Sequence, residues 1–531
     1  MTINVKMLAS RQAPGGTTYQ AGSSYDVPDS LAHMFVNANS AVYTDGSAPI
    51  DGDEVPVKAT KKLTGGSVIL DPATGLPMSL GGATSITAAN LLIARRAGTL
   101  SVGGTYVTEN GSTYLARSAS NFVPVGDSPI LTGPNATLFG DSIAENQQNA
   151  GNPTTLSIVK WANANLPVPV EIKNWRGQSG AGLGAGAGAL NVLAYQAPLV
   201  AADTQNEIAW LHAGVNAALA VTTSQSVEGA AASLKSILDL LSPVKQLIIV
   251  DGVTPCNIAN SYRTLEIPAL NTKMSAVCAG YPNVLFNEIY STVLDTASVD
   301  QNPIAGTMYD SNLHPNSRGA ALIGEASASN IAKRVVIASP YTSVAVAGMP
   351  DFTGTTGTKT VGSGSITGNV PTNLNVQVAS GSAAVTTTIR TPAGQEGGRL
   401  NLAIANSGGA VSLVKTSLAD KTLFNASLNN GDQVRAWIGF RFKSKTLATN
   451  LQIYLQLNGS TIGWWAGRYT SKETPTIDYD APFIGYFPTD VFTINAAVTQ
   501  FDVVCAVEVG ATTGAADIDI WGFKLEKLTT P

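Results

Sequence analysis

Between residues 131 and 340 short apolar runs alternate with stretches that suit helices. NATLFG (135–140) precedes PTTLSIVKWANANL, and VPVEIKNW (168–175) precedes a Gly/Ala-rich stretch. NEIAWLHAG (206–214) precedes SQSVEGAAASLKSILDLLS, and KQLIIVDGV (245–253) precedes a helix candidate over 264–279. NVLFNEI (283–289) leads through a loop to NSRGAALIGEASASNIAKRV. Short apolar strands alternating with helices predict βαβ units and a parallel sheet. Five of them predict an α/β domain of the flavodoxin-like, doubly wound kind over residues 131–340.

The flanks have a different rhythm. Residues 1–130 carry short runs such as VKML, AVYT, SVIL, GTYVT and STYLA between APGG, PDS, TDGS and DPATG, which predicts one or two small β-rich modules. Asp29 and Ser30, good N-caps, precede LAHMFVNAN and predict one short helix there. Residues 341–395 are dense in Thr, Gly and Ser and read as a linker with the first strands of the next domain. Over 396–531 the period becomes two: Leu451, Ile453, Leu455 and Leu457 fall on one face, and Gln452, Tyr454, Gln456 and Asn458 on the other. Half-buried antiparallel strands follow from that pattern, with ADIDIWGFKLEKL as the last, and the expected architecture is a β-sandwich.

Composition narrows the function classes. The 531 residues carry 31 Lys+Arg against 36 Asp+Glu, a net charge of −5, so a nucleic-acid partner has no support. Charged residues are 13% of the chain, against ~25% in an average soluble protein, while 44% hydrophobic content is ample for packed cores. Cys256, Cys278 and Cys505 make neither a disulfide framework nor a CxxC pair, and with the three scattered histidines they show no metal-ligand spacing. No apolar run is long enough to span a membrane, and MTINVKMLASRQAPGG lacks the apolar core of a signal peptide. A GxGxxA match at 184–189 follows the second strand rather than the first, which argues against a dinucleotide site. No cofactor is expected.

General-base chemistry near neutral pH points to histidine, and the candidates are His33, His212 and His314. His33 sits in the turn-rich N-terminal region. His212 lies inside a strand pattern and reads as a core or rim histidine. His314, in YDSNLHPNSRG, lies in a loop entering the domain's last helix, where sites of this fold class form. The nucleophile candidate is Ser142 in LFGDSIAE, at the carboxyl end of the first strand and the start of a helix, with its own N–H available to an oxyanion. A second GDS ends at Ser128, but Pro129 follows it and biases Ser128 away from helix entry. Gly180, in NWRGQSGAG, and Asn216, in HAGVN, offer further donors at the same rim.

These blocks, GDSI at 140–143, SG at 179–180, GVN at 214–216 and LHPN at 313–316, resemble in order those of the SGNH (GDSL-type) hydrolase superfamily, over roughly 200 residues. The resemblance implies a carboxylic ester hydrolase with Ser142 as nucleophile and His314 as general base. It implies an oxyanion hole of the Ser142 N–H, the Gly180 N–H and the Asn216 side chain, with Gly140 and Asp141 shaping the turn. Two positions depart from the family pattern. Ala217 replaces the Asp of GxND, and the DxxH spacing puts Ser311, not Asp310, three residues before His314. Asp310 reaching the imidazole through a bulge makes a triad; otherwise the site is a Ser-His dyad.

In the last domain, Arg435, Trp437 and Arg441 share one strand face, and Trp437, Tyr454, Trp464 and Trp465 are candidates to stack on sugar rings unless they fill the core. The whole arrangement resembles phage tail-spike and tail-fibre proteins that deacetylate bacterial capsule or O-antigen. That implies a virion (tail) location, an acylated bacterial surface polysaccharide as substrate, and contact with other virion tail proteins through residues 1–130. The sandwich would then serve host binding or trimerisation of a homotrimer. The rival readings are a non-catalytic virion or host-binding protein with an SGNH-like fold, and a small-ester lipase or thioesterase.

Overall fold

The computed structural model describes residues 83–529 except 150–151, 155, 220–221, 257–265, 310–312, 340, 347–351, 391–397, 419–426, 447 and 467–483, together with short strands before residue 83. The chain forms two compact units, Met1–Ser79 and Leu80–Pro531. In the first, Thr2–Met7 pairs antiparallel with Ser24–Pro28 on one side and Ala41–Tyr43 on the other. The helix expected over LAHMFVNAN, and His33 within it, lie outside the described residues.

The second unit is built on a five-stranded parallel sheet. Its strands are β1 (Asn135–Gly140), β2 (Glu171–Gly177), β3 (Ile208–His212), β4 (Leu247–Asp251) and β5 (Val284–Asn287), in the spatial order β2-β1-β3-β4-β5. All four neighbouring pairs run parallel. β3 and β4 are buried along their whole lengths, as expected of strands covered on both faces. The helices are α1 (Ser142–Asn146), α2 (Ile158–Asn163), α3 (Ala197–Ala202), α4 (Val215–Leu219), α5 (Val227–Leu241), α6 (Glu266–Ala279) and α7 (Ser317–Ala332). This is the α/β domain with a parallel sheet that the alternating pattern predicted.

Leu234, Ile237 and Leu238 of α5, with Leu270 and Met274 of α6, close one face of the sheet. α2 packs on α7 across the other, where Trp161 and Ile323 are fully buried. Residues 84–124 form a small sheet that joins this domain closely: Ile130–Thr132 pairs parallel with Val335–Ile337, and Arg96 forms an ion pair with the buried Glu207.

The C-terminal region is two stacked sheets, one of eight strands and one of six. Thr356–Val361 and Ser365–Gly368 are already strands of these sheets, and they pair in parallel with Val370–Ser380 and Ala384–Arg390. These two parallel pairs lie in the stretch before residue 396, while the strand pairs within 396–531 are antiparallel, as the alternating pattern there predicts. Successive strands cross from one sheet to the other, so alternate strands travel the same way and meet as parallel neighbours. The remaining pairs, such as Gln433–Thr446 with Ala515–Thr529, are antiparallel.

The sandwich core is continuous with the α2/α7 layer: Ile158, Trp161 and Ile323 share one apolar cluster with Ile438, Phe440 and Leu525. The Trp161 and Phe487 rings meet edge to face at 5.9 Å. Two ion pairs lock the joint, Lys160 with Asp490 and Arg435 with Glu171 of β2. Arg435 and Glu171 are both buried, a geometry in which losing one partner strands the other's charge.

Candidate active site

The parallel register brings the carboxyl ends of β1, β2 and β3 level, with Gly140 opposite Gly177 on one side and His212 on the other. At Gly140 the chain must turn sharply into α1. Its φ is +134°, and a Cβ there would lie 2.0 Å from the His212 carbonyl oxygen, so only glycine fits. The buried Gln196 side chain clamps this residue from both sides. The Gly140 N–H donates to Gln196 Oε1 at 2.8 Å, and Gln196 Nε2 donates to the Gly140 carbonyl at 3.0 Å. Asp141 is the N-cap of α1, its carboxylate accepting from the Ile143 N–H at 2.9 Å. Ser142 therefore starts the helix, only 5% exposed.

Ser142 Oγ lies 2.8 Å from His314 Nε2, across 172 positions of sequence. His314 is held by a two-stranded ribbon in which Met308–Tyr309 pairs antiparallel with His314–Pro315. The Tyr309 ring stacks on the imidazole, with centroids 5.4 Å apart and an interplanar angle of 30°. The Tyr309 hydroxyl accepts from Asn146 Nδ2 at 3.0 Å, which ties the histidine ribbon to the far end of α1. Just beyond, Asn316 caps α7 through the Gly319 N–H, fixing where the ribbon ends. Asp310 lies outside the described residues.

The loops carrying the other two predicted donors are drawn to the same rim. The Gln178 N–H donates to the Gly140 carbonyl at 3.0 Å, bringing the loop after β2 beside the Gly140–Ser142 turn. Asn216, on α4, donates from Nδ2 to the Ala181 carbonyl at 3.1 Å, and Thr223 Oγ1 donates to the Gly180 carbonyl at 3.1 Å. A primary amide has two N–H donors, so this bond leaves Asn216 one more to offer. Gly180 has φ +80°, and a Cβ there would meet only Leu190 Cδ2, at 3.7 Å. Ser128 is placed elsewhere, in a turn where its Oγ accepts from the Thr113 N–H at 2.9 Å.

Burial pushes the Asp141 carboxyl up to about 6, against the pull of the His212 charge and the backbone N–H groups of Ile143, Gly214 and Ala144. His212 is buried, and Nδ1 lies 2.8 Å from Asp251 Oδ2. Burial lowers the His212 pKa, but the bond to Asp251 and the charges of Asp251 and Asp141 outweigh it, leaving the imidazole above its ordinary value. Among the described residues no group of three or more His, Cys, Asp or Glu side chains is arranged to hold a metal ion.

The aromatic candidates of the sandwich separate. Tyr454 is 4% exposed and packs with Val504 and Ala506, so it presents no ring for stacking; this corrects its reading as a sugar contact. The physical reason is a small apolar strip on that face of the sheet, which also buries Gln452. Trp437 is half-buried and donates from Nε1 to Glu526 at 2.8 Å, beside the Arg435 that faces the α/β domain. Trp464 and Trp465 lie on the strand Ser460–Ala466, where Trp464 is in register with Tyr454.

Sequence reasoning missed Gln196, Tyr309, Asn146 and Asp251. Gln196 follows the Gly/Ala-rich stretch and carries no motif, Tyr309 stands in the loop pattern before His314, and Asp251 ends a strand pattern. No family model matches the chain, and no curated protein matches it. Solved structures do. An α/β hydrolase from the metagenome of Lake Arreo, Spain, is similar at 16% identity over 38% of this chain and 96% of that one, with a TM-score of 0.30. An acetylxylan esterase from Geobacillus stearothermophilus is similar at 16% identity over the same shares, 38% and 96%, with a TM-score of 0.30. A member of the lipolytic protein G-D-S-L family from Veillonella parvula shows 18% identity over 36% of this chain and 95% of that one, with a TM-score of 0.27.

Proposed function

We propose that the central domain is a serine esterase that removes acyl groups, O-acetyl above all, from a bacterial surface polysaccharide. One observation carries the reading: the Ser142 hydroxyl and the His314 imidazole, far apart in sequence, stand 2.8 Å apart at the carboxyl edge of a parallel sheet. That is the contact a nucleophile and its general base require.

In the reaction, Ser142 Oγ attacks the ester carbonyl as His314 Nε2 takes its proton. The Ser142 N–H, the Gly180 N–H and the free N–H of Asn216 receive the oxyanion. His314 then returns the proton to the departing sugar oxygen. A water, deprotonated by the same imidazole, hydrolyses the acyl-enzyme. Asp310, four residues before His314, is the acid assigned to orient the ring; without it the pair acts as a dyad of the same reaction type.

The polysaccharide substrate is proposed from the architecture, a hydrolase locked to a β-sandwich by the Lys160–Asp490 and Arg435–Glu171 pairs. A glycan gripped by the sandwich would reach Ser142 at a fixed offset. The same architecture supports a role in a phage tail, with residues 1–130 meeting other virion proteins and a homotrimer as the assembly. The test is acetate release from purified O-acetylated capsule or O-antigen. Wild type and Ser128→Ala should release acetate and Ser142→Ala should not. Loss on Ser128→Ala alone overturns the site, and no release by wild type from any acylated glycan overturns the substrate.

A further inference from the structure

Gln196 ends a π-helical turn, Val192–Gln196, immediately before α3, and is 2% exposed. Both donors of its amide go to backbone carbonyls. Nε2 donates to the Gly140 carbonyl at 3.0 Å and to the Ala189 carbonyl at 3.1 Å, while Oε1 accepts from the Gly140 N–H at 2.8 Å. A backbone N–H can only donate, so the Gly140 N–H fixes which end of the amide is oxygen. Single π turns are rare and gather at functional sites, where the extra residue re-aims the side chains that follow.

These bonds close a circuit around Gly180. From Gly140 the first link is the Gln178 N–H on its carbonyl, at 3.0 Å. The chain then runs through Gly180 to Gly182, whose N–H donates to the Leu190 carbonyl and whose carbonyl accepts from the Val192 N–H, both at 3.0 Å. Ala189 adjoins Leu190, and Gln196 returns from it to Gly140. Leu190 Cδ2 also lies 3.7 Å from where a Cβ of Gly180 would be. Asn216 joins the same frame through its bond to the Ala181 carbonyl. Gln196 is the one side chain in the circuit that reaches both the Gly140–Ser142 turn and the 189–192 segment.

We infer that Gln196 is a positioning residue for ester hydrolysis: its amide, bonded at once to Gly140 and Ala189, sets the spacing between the turn that carries Ser142 and the loop that carries Gly180. This rests on the esterase reading of Ser142 and its oxyanion donors. The Ser142 N–H and the Gly180 N–H belong to the two sides of that spacing. An ester carbonyl can bind with the two sides slightly apart. The oxyanion of the transition state needs both donors at hydrogen-bond distance together. Loosening the strut therefore lowers kcat and leaves KM nearly alone.

The test uses two substitutions in the full chain, with p-nitrophenyl acetate as the ester. Gln196→Met keeps the length of the side chain and loses its three hydrogen bonds. A misplacement of about 1 Å costs about 10²-fold, so kcat should fall by that order with KM little changed. Gln196→Glu adds a pH profile. As a neutral acid its carbonyl can accept from the Gly140 N–H and its O–H can donate to the Gly140 carbonyl, as the amide does. Ionised, it sets a carboxylate against the Gly140 and Ala189 carbonyls. Burial and those carbonyls raise such a carboxyl above its ordinary value of about 4.3. The ratio of variant to wild-type kcat, which cancels what titrates in both, should be near one in acid. It should fall about tenfold or more as the pH rises, and acid should restore it. A merely structural glutamine would lower the melt while kcat of the folded variants stayed with wild type, and that result overturns the proposal. A second measurement needs no turnover: hydrogen exchange in Gln196→Met should speed up over residues 178–183 while β3 keeps its protection. Unchanged protection over 178–183 overturns the proposal. Where Gln196→Met unfolds and β3 loses protection too, the kcat ratio of Gln196→Glu decides. Absence of ester turnover by wild type is a different result. It sinks the esterase reading, while the exchange still decides whether Gln196 holds the two segments together.

Discussion

The two described histidines stand on opposite sides of one turn and are held in opposite ways. His212 belongs to a fully buried strand; its ring is bonded to Asp251, which Trp210 and Asn287 hold in turn. His314 sits on a short ribbon outside the sheet, stacked on Tyr309, with Nε2 given to Ser142. The strand side is over-determined and holds its ring in one orientation. The ribbon side leaves a nitrogen facing the nucleophile, and a general base needs that lone pair directed at the proton it takes. On the proposed reading the same side chain is scaffold or reagent according to the element that carries it.

The most direct way to break this contrast is His314→Ala. Removing the proposed base should cost about 10⁴-fold or more in kcat with the folded protein otherwise intact, since triad-type groups act as a unit. Acetate release and a thermal melt on the same preparation check it. If His314→Ala kept most of the activity, the assignment of reagent to the ribbon and scaffold to the strand would be reversed, and His212 would have to be examined as base.

Asn216→Ala should come next. It removes the proposed oxyanion donor, and losses of about 10²–10³-fold in kcat are usual for one such donor. It also removes the bond to the Ala181 carbonyl, at a net cost of about 1 kcal/mol in stability. A rate loss well beyond what that small destabilisation explains, with KM nearly constant, identifies a transition-state contact. A rate loss that merely tracks the melt leaves Asn216 as a brace between α4 and the loop after β2.

Much of this site was legible because its parts end regular elements. The apolar run NATLFG is β1 residue for residue, and the turn chemistry of Gly140-Asp141-Ser142 announces a helix start without any knowledge of the partner loops. His314 was legible through its place before the last helix. What stayed hidden is what crosses the fold. Gln196 reaches Gly140 over 56 positions, and its stretch of small residues shows no periodicity; it contains a π-helical turn, Val192–Gln196, that no apolar pattern marks. His212 was legible as a buried histidine but not as the partner of Asp251, because Asp251 looks like an ordinary strand end until β3 and β4 are laid side by side. In the sandwich, alternation told which face of 451–457 meets the core. It was silent on Tyr454, whose cover comes from Val504 on a strand distant in sequence.

The smallest expected effect tests how loosely the ribbon can hold its histidine. Tyr309→Phe keeps the ring that stacks on His314 but deletes the hydroxyl that accepts from Asn146 Nδ2. One neutral hydrogen bond at a part-buried position is worth about 1 kcal/mol net, so the variant should lose roughly fivefold in kcat, with a small fall in melting temperature. Tyr309→Ala, which removes the ring as well, should lose more in rate than in stability, because the imidazole is then free to leave its line with Ser142 Oγ. If Tyr309→Phe is as damaging as His314→Ala, the ribbon is no looser than the strand. The contrast between the two histidines would then reduce to which nitrogen each gives to its partner, Nδ1 to Asp251 or Nε2 to Ser142.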